Sequence, residues 1–346
     1  MTAASAPAGH DRAPSTLRAA GAAWRVLLLS AVMAVAASSA LAASLDSPRS
    51  APAAADAGRA ELARCVQLGR VRPEEALPAL TALVPRLGGD AAAQIEALAV
   101  LGEIHALLAD GAAIDGVVAE LRRRGQAPAE GGSWADRSMA WARVAAEAVQ
   151  SQALRLHGPV GRAERLLADA MRSPPADLPA ALRLRLLAWH ADLLEREGRF
   201  EPAARRWQEA IALADATPAP AWRRAEMRSA LAKTLSLAGR SDRARELNQA
   251  ALALAHESGD ERALSYAYKT DGILQLGDSL AEVRPAAEAS MRAALDHAQR
   301  AGARRDEIRA IANLADFALR RADHAQALAY AERALPLARA VHDGNA

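Results

Sequence analysis

Residues 239–251 read GRSDRARELNQAA, with small residues at Gly239, five places on at Ala244 and twelve places on at Ala251. The same offsets recur in GRFEPAARRWQEA (Gly198, Ala203, Ala210), in ADHAQALAYAERA (Ala322, Ala327, Ala334) and in GPVGRAERLLADA (Gly158, Ala163, Ala170). The leading residues stand 40, 41 and 83 apart. The double interval hides one more copy, LGDSLAEVRPAAEASMRAA, in which Ala287 and Ala294 keep the seven-residue spacing but five extra residues follow Gly277. Weaker copies lie at Gly111 and near residues 69–71.

A fixed period near forty residues marks a solenoid, in which each unit buries its apolar face only against its neighbours. Seven residues make two helical turns, so the two alanines of each copy share one face and let a second helix cross close to the first. The leading glycine ends the first helix, because glycine tolerates the positive φ that such a turn needs. Upstream positions agree: Ala191, Ala232 and Ala315 each sit seven before a leading residue, with Leu231 and Leu314 beside the latter two. Composition points the same way. Alanine and leucine dominate and aromatics make up only 3%, which favours helix over a β-sandwich or barrel.

These residues resemble a tetratricopeptide (TPR) array. The likeness is carried by Ala191, Gly198, Phe200, Ala203, Trp207 and Ala210 in one unit and by Leu231, Ala232, Gly239, Ala244 and Ala251 in the next. It is clear over residues 151–346 and faint over residues 59–150, a divergent stretch of helical repeats. The usual TPR period is about 34 residues, and the longer one here is similar to long-helix variants in kinesin light chains and large bacterial regulators. The resemblance implies an all-α, right-handed superhelical α-solenoid of antiparallel helix pairs. It also implies that the first helices line a concave groove holding a protein or peptide partner.

The positions six and nine before each leading residue then become groove candidates: Asp192 and Trp189, Lys233 and Ala230, Asp271 and Tyr268 counted from Gly277, Asp316 and Asn313. TPR domains that clamp a C-terminal carboxylate place asparagine six before the leading residue. Asp, Lys, Asp and Asp stand there in this chain, so that mode is not expected. Trp189 and Tyr268 are either aromatic anchors of a binding site or packing between units.

Arg18 and Arg25 precede the apolar run VLLLSAVMAVAA (Val26–Ala37), followed by SSALA and Ala43. This has the n-region, h-region and small-residue cleavage site of a secretory signal, residues 1–42, cut after Ala42 or retained as an anchor. Residues 43–58, rich in Pro, Ala and Ser, read as a flexible linker. An exported, periplasmic location is expected, with the membrane reached only through an uncleaved leader or a helix beyond residue 346. The net charge of +2 is fully accounted for by Arg12, Arg18 and Arg25 against Asp11, leaving the remainder neutral. A neutral chain has no net field to gather phosphates, so nucleic acid is not an expected partner.

The sequence carries no catalytic constellation. Cys65 is the single cysteine, read as a buried thiol. The histidines are scattered and form no metal-ligand spacing, and they read as exposed helix positions. There is no phosphate-binding loop, dinucleotide fingerprint or nucleophile elbow. Gly88-Gly89-Asp90 reads as a loop, and the pairs Arg205-Arg206 and Arg304-Arg305 as solvated faces. No catalytic residue, metal site or cofactor is expected within the sequence. The expected function is an exported, non-catalytic scaffold binding a protein or peptide. The alternative is the extracytoplasmic sensor region of a longer signalling enzyme, a diguanylate cyclase or histidine kinase, an expectation prompted by a last unit that reads as truncated.

Overall fold

The computed structural model describes residues 51–126, 133–276 and 285–343. Among them run fourteen helices and no strand: α1 (Ala51–Val71), α2 (Pro73–Arg86), α3 (Ala91–Leu107), α4 (Gly111–Gln126), α5 (Ser133–His157), α6 (Val160–Ala170), α7 (Ala180–Arg196), α8 (Phe200–Asp215), α9 (Ala221–Leu237), α10 (Ser241–Ser258), α11 (Glu261–Leu276), α12 (Pro285–Ala301), α13 (Arg304–Arg320) and α14 (His324–Asp343). They form seven antiparallel pairs, the odd-numbered helix leading each. The leader at residues 1–42, the linker up to residue 50, Gly277 and residues 344–346 lie outside the described residues. Residues 51–58, expected in the linker, open α1 instead, as alanine is the strongest helix former. The boundary expected at residue 150 falls inside α5. No helix among the described residues is long and apolar enough to cross a membrane.

Short connections with defined caps set the pairing. Asp90, Asp110, Asp260 and Asp323 each place a carboxylate oxygen on a first-turn backbone N–H, at 3.0, 3.1, 2.7 and 3.0 Å. Between the two helices of a pair the chain turns through a left-handed residue: Gly198 (φ +73°), Gly239 (+76°), Ala109 (+56°) and Ala322 (+58°). Gly158 does not take this role. It precedes Pro159, and the residue before a proline is driven toward extended backbone.

The small-residue slots behave as their spacing demands. Ala203, Ala210, Ala244, Ala251, Ala287 and Ala294 are all fully buried on second helices, where a larger side chain would push the helices apart. The ends of the series relax. Ala163 is fully buried, but Ala170 closes the short α6 half-buried; Ala327 is buried, whereas Ala334 is half-buried.

The faint N-terminal units keep the same register with bulkier residues. Counting from Ala109 puts Ile114 and Leu121 in the two slots, both fully buried, and counting from Val71 puts Ala76 and Leu83 there, at 0% and 1% exposure. The copy placed at Gly111 is therefore displaced by two residues. The apolar core follows the chain as a row of clusters: a large one under α1 to α7, then smaller ones between α7 and α9, α8 and α11, and α11 and α14. This is the nearest-neighbour burial of a solenoid. Cys65 is buried in the first of them.

Candidate functional site

The first helices turn a common polar face to one another. Helix numbering shows which residues form it. Asp192, Lys233 and Asp316 are each the thirteenth residue of their helix, and the sixth residues of α7, α9, α11 and α13 are Arg185, Glu226, Tyr266 and Arg309. Seven residues apart on a helix means one face. Ion pairs tie these rows together across successive units. Arg155 of α5 lies 3.8 Å from Asp192 of α7, Lys233 of α9 2.5 Å from Glu195 of α7, and Arg262 of α11 2.8 Å from both Glu226 of α9 and Asp306 of α13. Tyr266 is enclosed among Lys233, Glu195 and Asp192, and burial raises its phenol above the ordinary value. Lys269 lies 4.2 Å over the Tyr266 ring. The two lysines of the sequence, Lys233 and Lys269, thus both belong to this face.

One end of the channel so formed is occupied by the N-terminal pairs. Arg70, at the close of α1, places one guanidinium nitrogen 2.5 Å from Glu226 and another 3.1 Å from Asp260, with its Cζ 3.6 Å from the centre of the Trp222 ring. Gln67 adds a bond to Asp260. Arg305 donates to the Leu107 carbonyl at 2.9 Å and pairs with Glu74 at 3.5 Å. Arg185 of α7 pairs with Glu103 of α3. The first pairs therefore lie against the starts of α7, α9, α11 and α13. Burial alone would raise Asp260, but the Arg70 guanidinium holds its carboxyl below the usual range. Arg305, expected on a solvated face, is a contact between parts of the chain about two hundred residues apart.

The groove candidates divide. Asp192 and Lys233 lie on the inner face as described. Asp316 is exposed and paired with Arg320 at 2.7 Å, and Asn313 is half-buried on the same helix. Trp189 is 8% exposed and packs in the large N-terminal core cluster. Tyr268 stacks on His297 at 5.3 Å and meets His256 edge-on at 5.9 Å. Those histidines belong to the second helices α12 and α10, so Tyr268 faces away from the channel. Asp271 accepts from Ser290 of α12 at 2.6 Å and also from Gln275.

The displacement has a simple cause. Gly277 is not the equivalent of Gly239: the thirteenth residue of α11 is Ile273, two places beyond Asp271, and small Gly272 there matches Ala191 and Ala232. An added Cβ on Gly272 would come within 3.0 Å of the Ala287 carbonyl oxygen. The residues missed by counting are Arg155, Glu195, Tyr266, Lys269 and Arg309. The rarity of lysine and the row of large polar sixth residues were the signals for them.

Histidine is also more buried than expected. His190 is 3% exposed and bonds Glu164 at 3.2 Å, and burial lowers its pKa, as it does that of His105. No group of three or more metal-ligating side chains occurs among the described residues.

No protein-family model and no curated protein matches the chain in sequence. Solved structures of similar fold include two crystal structures. The Rap protein complexed with competence and sporulation factor aligns with a TM-score of 0.55 at 13% identity, over 79% of this chain and 71% of that one. BtubC (BKLC) from P. vanneervenii aligns with a TM-score of 0.49 at 20% identity, over 68% of this chain and 91% of that one. The likeness to the Rap protein, with the paired helices described above, establishes a helical-repeat solenoid.

Proposed function

We propose that this chain is a TPR-like, non-catalytic scaffold that holds a protein segment or short peptide in the channel between its first helices. The observation that carries the reading is the inner face itself: Asp192, Glu195, Lys233, Tyr266, Lys269 and Arg309 from successive first helices line one polar surface beside the enclosed N-terminal end. Such a surface offers alternating charge to the backbone and polar side chains of an extended ligand, with the Tyr266 ring for apolar contact. The fold likeness to a Rap protein complexed with competence and sporulation factor supports the reading.

The scaffold works outside the cytoplasm in this proposal, a reading supported by the apolar run behind Arg18 and Arg25. The sensor-region alternative shares the channel and differs in what the repeats are attached to. Fractionated cells probed with an antibody to the repeats separate them: a soluble periplasmic band near the 36.3 kDa of this chain, less its leader, supports the scaffold, and a much larger membrane band supports the sensor. For the binding function itself, random peptides displayed on phage are selected against the purified repeats and measured by calorimetry. Selected peptides lose affinity for Lys233→Glu under this proposal; peptides that bind wild type and Lys233→Glu equally contradict it.

A further inference from the structure

Four large apolar side chains stand exposed among the described residues, and three of them lie on the last helix pair: Leu319 of α13 at 54%, and Leu328 and Leu335 of α14 at 60% and 50%. The last pair repeats a register that elsewhere meets the following pair. Leu184 and Ala214, the fifth residue of α7 and the fifteenth of α8, are buried with Met227 of α9. Ala225 and Ala255, at the same positions of α9 and α10, are buried with Ala263, Leu264 and Ala267 of α11. Their equivalents in the last pair are Ile308 and Ala338, and both are only half-buried. On α14, Leu328, Ala331, Leu335 and Ala338 follow at steps of three, four and three, which is one helix face. The end of a solenoid is ordinarily polar, and a continuous apolar face there marks an interaction surface.

The charges along this face are self-complementary. Glu332 stands three residues before Leu335 and Arg339 four after it, so both share one edge of the stripe. Both are exposed, and neither has an ion pair among the described residues, whereas the neighbouring Arg333 meets Glu307 at 3.7 Å. When two helices run antiparallel about a twofold axis, each edge faces the same edge of the partner. An axis beside Leu335 therefore brings Glu332 of each copy opposite Arg339 of the other. Ala331 and Ala338 come opposite one another in the same way, and their small side chains permit a close crossing. A parallel arrangement would instead oppose Glu332 to Glu332 and Arg339 to Arg339.

The extent of the face also suits a second copy. It spans helices of 17 and 20 residues, about 25 and 30 Å long at 1.5 Å per residue and about 9 Å apart. That amounts to roughly 600 Å² per copy and about 1,200 Å² for two, the lower end of the range for specific interfaces. We propose that a second copy of this chain covers the face, in a twofold dimer with α14 packed antiparallel on α14, Leu335 at the axis and Glu332 paired with Arg339 on either side of it. The dimer concerns the last pair alone and is independent of the channel reading.

Sedimentation equilibrium of the whole chain tests this, the mass being read against the 36.3 kDa of one copy. Wild type, Leu335→Glu, Glu332→Arg and Arg339→Glu are compared up to about 100 μM subunit, where a dimer with a micromolar Kd is mostly formed. Wild type approaches twice the single-copy mass as concentration rises. Leu335→Glu would bury two carboxylates at the axis and stays at the mass of one copy. Each charge reversal sets like charges opposite each other at both edge contacts and weakens association about tenfold. All three positions are exposed in the single copy, so the variants keep the wild-type circular dichroism and urea midpoint, which separates lost pairing from lost folding.

The decisive arm mixes the two charge reversals. One variant then carries two basic edge positions and the other two acidic ones, so the equimolar mixture dimerises at least as well as wild type although each variant alone does not. The double variant Glu332→Arg, Arg339→Glu recovers the dimer for the same reason. Wild type that remains at the mass of one copy throughout overturns the proposal and assigns the face to another segment or another protein. A dimer indifferent to Leu335→Glu also overturns it, because the copies then meet through a different surface. So do charge reversals that pair no better mixed than alone, since the antiparallel register of α14 is then wrong.

Discussion

Replacing Gly239 by alanine, and Ala109 by glycine, tests the turn that joins the helices of a pair. Both residues occupy the same left-handed conformation, at φ +76° and +56°. A Cβ added at Gly239 meets nothing within 4 Å, so the substitution introduces no clash and its effect is confined to the backbone. An L-residue in this region costs roughly 1–2 kcal/mol, while the loss of glycine's freedom in the unfolded chain returns about 0.4–1 kcal/mol. Gly239→Ala is therefore destabilising by about 1 kcal/mol. Ala109→Gly runs the same cycle backwards and is stabilising by up to about 1 kcal/mol. Urea unfolding followed by circular dichroism reads both as shifts in midpoint at constant slope. The reasoning is refuted if the two substitutions shift the midpoint in the same direction, since an identical turn cannot be relieved and strained by opposite exchanges.

Other perturbations address packing and charge. Ala244→Leu inserts a larger side chain where Ala244 is fully buried beside Leu231, Leu235 and Leu274, and lowers stability by about 1–3 kcal/mol in the same urea assay. Trp189→Ala empties a core position and costs about 3–5 kcal/mol, so a loss of affinity without loss of stability is not expected there. Arg70→Ala leaves the mostly buried Asp260 carboxylate without its ion pair, while Glu226 keeps Arg262, and is destabilising by about 3 kcal/mol, seen as a lower urea midpoint. Stability also falls with acid. His105 and His190 have folded pKa values below their unfolded ones, so protons favour the unfolded chain as pH drops below about 6.5. Asp260 and Asp306, likewise depressed, extend the loss below about pH 4. Melting temperatures measured from pH 8 to pH 4 check the sign, and a rise toward pH 5 contradicts it.

The solenoid was legible in the sequence because alanine spacing reports close helix crossings directly, as at Ala203, Ala210, Ala244 and Ala251. The first units were fainter for a physical reason: Ile114, Leu121 and Leu83 fill the same slots with larger side chains, so the register survives while the composition signal does not. Part of the channel was legible too, since Asp192 and Lys233 follow from helical periodicity. Tyr268 and Asp271 were misplaced by taking Gly277 as the turn, an error of two residues that rotates a helix face by more than half a turn. The contacts of Arg70 and Arg305 had no sequence signal at all. They join segments about two hundred residues apart, a distance over which local periodicity carries no information.

The most direct measurement is hydrogen–deuterium exchange of the whole chain with and without a selected peptide at saturating concentration. The account predicts slowed exchange in the later halves of α7, α9, α11 and α13, around Glu195, Lys233, Lys269 and Arg309, with the second helices α8, α10 and α12 unchanged. Protection confined to those second helices, with none on the first, would contradict the claim that the channel is the binding site.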